Sequence, residues 1–148
     1  MKCFVYCEWI DDHRLRQSMP EVRLLDRVVL PDHRLAFTSF VEDADATIRP
    51  GGCNLVYAQG NSVPGLLYEL DAVQERVAET LSRVAEGRYT PRSYEVVDRA
   101  GITHQAVAYV LKHPLDASPA PDDYRLHMLA GARRHEFPED YIRAIEAL

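Results

Sequence analysis

The sequence has no block of basic charge and no long apolar run, and each absence removes a class of function. With 17 basic residues against 23 acidic ones the net charge is −6, and no basic stretch is available to follow a phosphate backbone, so nucleic-acid binding is not expected. No segment approaches the roughly 18 uninterrupted apolar residues of a membrane span. The N-terminus also lacks the basic segment and long apolar stretch of a signal peptide. A soluble, cytoplasmic protein without membrane association is the expectation.

Cysteine is scarce. Cys3, Cys7 and Cys53 make an odd number in a chain without export signals, which predicts reduced structural thiols rather than a disulfide framework. Cys3 and Cys7 share one face of an extended strand, but tetrahedral zinc wants a fourth ligand and paired short spacings that are missing here. Glycine-rich phosphate loops, GxSxG elbows, HExxH pairs and CxxC pairs are absent as well. Local motifs therefore name no reaction, and neither metal nor cofactor is expected.

What is present is one domain's worth of core. A chain of 148 residues with 47% hydrophobic content predicts a single domain over residues 1–148. "CFVY" reads as a short strand, and the polar "DDHRLRQSMP" after it as a loop or helical turn. "EVRLLDRVVL" and "HRLAFTSF" follow as strands, and the acidic "VEDADATIRPGG" as a surface loop or lid. "CNLVYAQ" and "VPGLLYEL" are strands joined at "GNS" by a hairpin turn.

The period then changes. In "DAVQERVAETLSRVAEG" the residues Val73, Val77, Leu81 and Val84 fall at helical spacing, Asp71 with Gln74 makes a capping box, and Gly87 ends the helix. Glu79 and Arg83, four apart, are expected to pair on its exposed face. "RSYEVV" and "HQAVAYVL" return to strand, with Val107, Tyr109 and Leu111 on one face. Two helices close the chain, around "PDDYRLHMLAGARRH" and "PEDYIRAIEAL", the latter with Tyr141, Ile142, Ile145 and Leu148 on one stripe. The order predicts an α+β fold, a small mixed or antiparallel β-barrel with surrounding helices.

The stretch "YCEW" carries a thiol, a carboxylate and an indole directly after the first strand. It also carries part of a resemblance that runs nearly end to end. Tyr6-Cys7-Glu8-Trp9-Ile10, Leu30-Pro31 with "RLAF", Gly51-Gly52-Cys53, Val63-Pro64-Gly65-Leu66-Leu67-Tyr68 and "PAPDDYRLHMLAGARRHEFPEDY" stand in order. The chain thereby resembles the gamma-glutamylcyclotransferase-like family. Its members show a Tyr-Gly-Ser-Asn-Leu turn, a Leu-Pro link, Gly-Gly-x-Ala, Val-x-Gly-x-x-Tyr and a Pro-x-x-Tyr, Gly-Ala, Pro-x-x-Tyr ending. The resemblance implies a barrel with a pocket in which a γ-glutamyl group is cyclised to 5-oxoproline and its amine expelled. A carboxylate of raised pKa removes a proton from the α-amino group, and backbone amides of the turn hold the substrate.

This chain departs from that pattern in both places. Aligned without a gap between Tyr68 and Tyr89, the family's catalytic glutamate falls on Ser82, whose hydroxyl is too weak an acid to replace it unaided. The pair Glu86-Gly87, one turn further on, is the alternative base in a shifted register. In the turn, Cys7, Glu8 and Trp9 replace glycine, serine and asparagine. Glu8 is accordingly a candidate for a relocated acid or base, and Cys7 with His13 a candidate nucleophile and base. Tyr6, Cys7, Trp9, Tyr89 and Tyr109 are the candidate substrate-binding residues. The expectation is an enzyme of specialised metabolism, monomer or homodimer, acting on a small amino-acid-derived amide or amine, with almost no release of 5-oxoproline from ordinary γ-glutamyl compounds. A non-catalytic ligand- or protein-binding descendant is the alternative. An open polar cavity beside Glu8 favours the enzyme, and a cavity plugged by Trp9 favours the descendant.

Overall fold

In the computed structural model, which describes residues 1–148, the opening apolar run becomes β1 (Lys2–Val5), and every residue of it after Lys2 is buried. It lacks polar alternation because both of its faces are covered. On one side β1 runs antiparallel to β3 (Asp45–Glu69), from Lys2 opposite Glu69 to Val5 opposite Leu66. On the other it is parallel to β5 (Thr103–Leu111), with Cys3 opposite Val107.

The sheet continues from β5 through β4 (Tyr89–Asp98) to β2 (Arg23–Glu42), and β2 pairs with β3 to close the ring. A closed sheet has no free edges to protect. A short β6 (Pro114–Ala117) adds to the far part of β2. Only the β1–β5 pairing is parallel, so the five-stranded ring is a mixed barrel, with helices outside it, as the α+β expectation had it. Phe4, Val63, Leu66, Leu67 and Tyr68 fill the core with Met128 and Ile145 from the C-terminal helices. Each such side chain contributes about 1.5–3 kcal/mol by leaving water.

The helices are α1 (Asp12–Ser18), α2 (Ala72–Leu81), α3 (Asp122–Arg134) and α4 (Glu139–Glu146), with a 3-10 turn at Glu8–Ile10. The capping box of α2 is complete: Asp71 Oδ1 accepts from Gln74 N at 2.8 Å, and Gln74 Oε1 accepts from Asp71 N at 2.9 Å. On α4, Ile142 and Ile145 are buried and Tyr141 packs partly against the core, as does Leu148 just beyond the helix. No helix is long and apolar enough to cross a membrane.

Several local expectations need correction. The acidic stretch after Phe40 is not a loop, because β2 runs to Glu42 and β3 starts at Asp45, making a tight hairpin. Conversely "GNS" is no hairpin: β3 runs through it, and residues 58–61 form an excursion opposite Asp32, where Gly60 N donates to Asp32 Oδ1 at 3.0 Å. Helix α2 stops at Leu81 rather than Glu86 because Arg83 takes φ 49°, which ends the helical path and removes the expected pairing of Arg83 with Glu79.

Candidate functional site

Where β1 leaves the barrel, the chain turns through Cys7, Glu8 and Trp9, and this turn forms one wall of a cavity of about 270 Å³. The volume suits a small metabolite. Leu81 and Ser82 at the end of α2 and Cys53 of β3 also line it. Tyrosines from three further directions complete it: Tyr89 of β4, Tyr109 of β5 and Tyr124 of α3. Arg14, Gln17 and Ser18 of α1 border it as well. Trp9 lines the cavity without filling it.

The turn is fixed from behind. Tyr6 donates its hydroxyl to the Tyr109 carbonyl at 2.7 Å, locking the end of β1 to β5. Ile10 N donates to Cys7 O and Asp11 N to Glu8 O, each at 3.1 Å, which shapes the 3-10 turn. Helix α3 lies directly against it, because Gly131 leaves no room between the helix and the Ile10 backbone. Cys7 has φ −117°, outside the left-handed region that favours glycine, and relative to glycine its side chain takes up space in the turn.

Glu8 is the only carboxylate among the lining residues, and Arg14 the only guanidinium. Arg14 Nε lies 3.0 Å from Glu8 Oε2, although the N–H is not aimed well enough to make a hydrogen bond to that buried oxygen. Burial raises the Glu8 carboxyl above its ordinary value, with Arg14 pulling the other way. Around it burial pushes Tyr89 up to about 12 and raises Tyr6, Tyr109 and Tyr124 too, so all four remain neutral phenols at physiological pH. Tyr89 accepts from Cys53 N at 3.1 Å, which leaves its own hydroxyl hydrogen free to donate. Such a site offers one carboxylate for proton transfer, one cation, and several neutral O–H groups.

The structure brings Glu8, Ser82, Tyr6, Cys7, Trp9, Tyr89 and Tyr109 to one cavity. Ser82 is the C-cap of α2 and is 8% exposed. Glu86 is exposed and lies outside the lining, so a shifted register would place its carboxylate away from the pocket. Two cysteine readings are corrected. Cys7 is bonded to Cys53 in a disulfide, so the three cysteines are not all reduced, and Cys7 has no thiolate to act as a nucleophile. The proposed partner His13 is exposed and absent from the lining. Cys3 alone is free, buried, and raised to about 12 by that burial.

Sequence reasoning missed Arg14, Cys53 and Tyr124 as parts of this site. Tyr124 carried a signal, since it is the tyrosine of the Pro121-x-x-Tyr124 segment. Arg14 carried none beyond lying six residues after Glu8 in a stretch without clear periodicity.

Comparison with known proteins agrees with this architecture. Among solved structures, one described as a gamma-glutamyl cyclotransferase superposes with a TM-score of 0.87 at 18% identity, covering 100% of this chain and 87% of its own. An uncharacterised human protein gives 0.85 at 16% identity, covering 99% and 86%. YkqA from Bacillus subtilis gives 0.79 at 20% identity, with this chain covering 55% of its length. At these identities the likeness is one of fold. No curated protein sequence matches the chain. A family profile does, over residues 62–145, more than half of its length, and the chain belongs to the AIG2-like family.

Proposed function

We propose that the protein is a diverged gamma-glutamylcyclotransferase-type enzyme whose proton-transfer residue is Glu8. The observation that carries this reading is the position of the Glu8 carboxylate, half-buried in the wall of an open cavity that contains no other acid. Its substrate is a small amino-acid-derived amide or amine of γ-glutamyl type, as suits a specialised biosynthetic pathway. The α-amino nitrogen of such a substrate gives a proton to Glu8 and attacks the γ-carbonyl carbon. The tetrahedral oxyanion collapses, the amide C–N bond breaks, and Glu8 returns the proton to the leaving amine. A neutral tyrosine O–H in the wall suits the oxyanion, because it gains a stronger acceptor as charge develops.

A second reading rests on Ser82. The α2 end supplies a hydroxyl where the resemblance calls for a carboxylate, which fits a protein that binds a small ligand without turning it over.

The test is a screen of γ-glutamyl amines and γ-glutamyl-amino acids for amine release, first by thermal shift and then by turnover. Glu8→Gln is expected to abolish turnover of any hit while leaving binding, and Glu86→Gln to leave both intact. Full activity in Glu8→Gln with loss in Glu86→Gln ends the Glu8 assignment. Binding without turnover across the whole screen supports the second reading.

A further inference from the structure

Cys7 and Cys53 stand 46 residues apart and arrive from different elements, yet their sulfurs meet in the wall of the cavity. The bond ties the turn that carries Glu8 and Trp9 to β3. The two residues differ in exposure, Cys53 being 1% exposed and Cys7 only half-buried. Cys7 Sγ also touches Met128 Sδ of α3 at 3.9 Å, and both Cys7 and Cys53 line the cavity. Cys3 takes no part, being free and buried with its thiol pushed up to about 12.

We propose that Cys7 and Cys53 form a redox-active pair in the pocket wall, opened from the cavity by a low-molecular-weight thiol and closed again by the corresponding disulfide. A thiolate entering the cavity attacks Cys7 Sγ. A bond forms between the two sulfurs, the Cys7–Cys53 bond breaks, and its electron pair leaves on Cys53 Sγ, which takes up a proton. A second thiol then attacks the mixed disulfide, releasing the small disulfide and the Cys7 thiol. Two thiols are oxidised to one disulfide while the protein disulfide is reduced to two thiols. The intermediate holds the body of the small thiol in the cavity, where it excludes other ligands. The fully reduced state frees the Glu8–Trp9 turn from β3. None of this depends on which reaction the pocket performs.

Trp9, the single tryptophan, lies two residues from Cys7 in the same wall and reports on the bond, because a disulfide quenches a nearby indole. The full chain is equilibrated in mixtures of 2-mercaptoethanol and its disulfide, quenched with acid, alkylated after unfolding and mapped by mass spectrometry. One alkylated cysteine, Cys3, is expected at the oxidising end and three at the reducing end. Cys7 and Cys53 change together while circular dichroism stays native, and Trp9 fluorescence rises with them. Cys53→Ser, which leaves Cys7 as a thiol, is expected to accumulate the mercaptoethanol adduct on Cys7. Cys7→Ser is expected to give a flat fluorescence titration. Three free cysteines even in the pure disulfide overturn the proposal. So does a bond that opens only when the protein is unfolded, since that describes a structural staple.

Discussion

Arg14 is held between Glu8 and His127, with its Nε 3.0 Å from Glu8 Oε2 and its Nη1 3.2 Å from His127 Nε2. A guanidinium only donates, so His127 Nε2 accepts, and its Nδ1–H donates to Asp11 Oδ2 at 2.8 Å. The same Asp11 accepts from Arg134 at 3.0 Å. The cavity carboxylate is thus connected through α1 to charges on α3, and Arg14 is the link that keeps it from rising further. Arg14→Met is expected to move the Glu8 carboxyl further up from its ordinary 4.5, and Arg14→Lys to move it less, because an ammonium keeps the charge without the fork. Carbon-13 NMR of the glutamate carboxyls reads this directly. A Glu8 titration identical in Arg14→Met and the parent disproves the coupling.

Stability should depend on pH with two opposite signs. Burial raises the Glu8 carboxyl in the folded state, so between about 4.5 and the folded value the folded form holds a proton that the unfolded form has lost. Glu8 therefore favours folding below about 4.5 and disfavours it above the folded value. Asp11 and Asp12 behave oppositely. Burial works against their charge, but hydrogen bonds from His127 and Arg134 hold Asp11 below its ordinary 3.8, and bonds from His135 and Arg134 do the same for Asp12. Their contribution is complete above about 3.8 and is lost as pH falls through the folded values. In urea unfolding from about pH 3 to about pH 8, Glu8→Gln is expected to gain stability at neutral pH, with the gain disappearing below about 4.5. A gain that stays constant across the range shows that the carboxyl is not perturbed.

Much of the barrel is legible in the sequence, and the reason is local. The alternation in β5, the unbroken apolar run in β1 and the Asp71–Gln74 box each follow from neighbours a few residues away. The misread segments depend on distant contacts. Nothing near Arg83 announces its left-handed backbone, which belongs with the path into β4, where Gly87 lies against Asp43. The pairing of Cys7, in the turn beyond β1, with Cys53, which sits opposite Phe37 of β2, depends on how the closed barrel folds back on itself and not on any spacing. Only the resemblance puts Glu8 and Ser82 near one another, whereas Arg14 and Tyr124 reach the site through the packing of α1 and α3 on the turn.

That packing can be tested at one residue. A Cβ added at Gly131 would collide with the backbone of Ile10 and Asp11, neither of which is a flexible side-chain end. Gly131→Ala is therefore expected to cost about 1–3 kcal/mol despite alanine's better helix propensity. It should also shift the amide resonances of Glu8 and Trp9. A variant as stable as the parent, with those resonances unmoved, would mean that α3 does not bear on the turn.

Ser82→Glu decides whether the cavity still presents a substrate to the end of α2. Ser82 is 8% exposed and caps the C-terminus of a helix, where the macrodipole disfavours an anion by about 0.3–1 kcal/mol. Burial adds to that cost, so the variant should melt below the parent. Both effects also raise the new carboxyl's pKa, which is what a base working near neutrality needs. A positioned general base is worth about 10²–10⁴-fold in rate. On γ-glutamyl-amino acids the parent is expected to release 5-oxoproline far more slowly than about 1 per second, and Ser82→Glu to be faster by a factor in that range. The Ser82→Glu, Glu8→Gln double variant then assigns the roles. If it keeps the gain, the introduced carboxylate works alone and Glu8 is not required for that substrate. If it loses the gain, Glu8 holds or protonates the substrate even when another base is present. A folded Ser82→Glu protein with no gain on any γ-glutamyl compound means that Cys7, Glu8 and Trp9 no longer hold the substrate in a reacting pose.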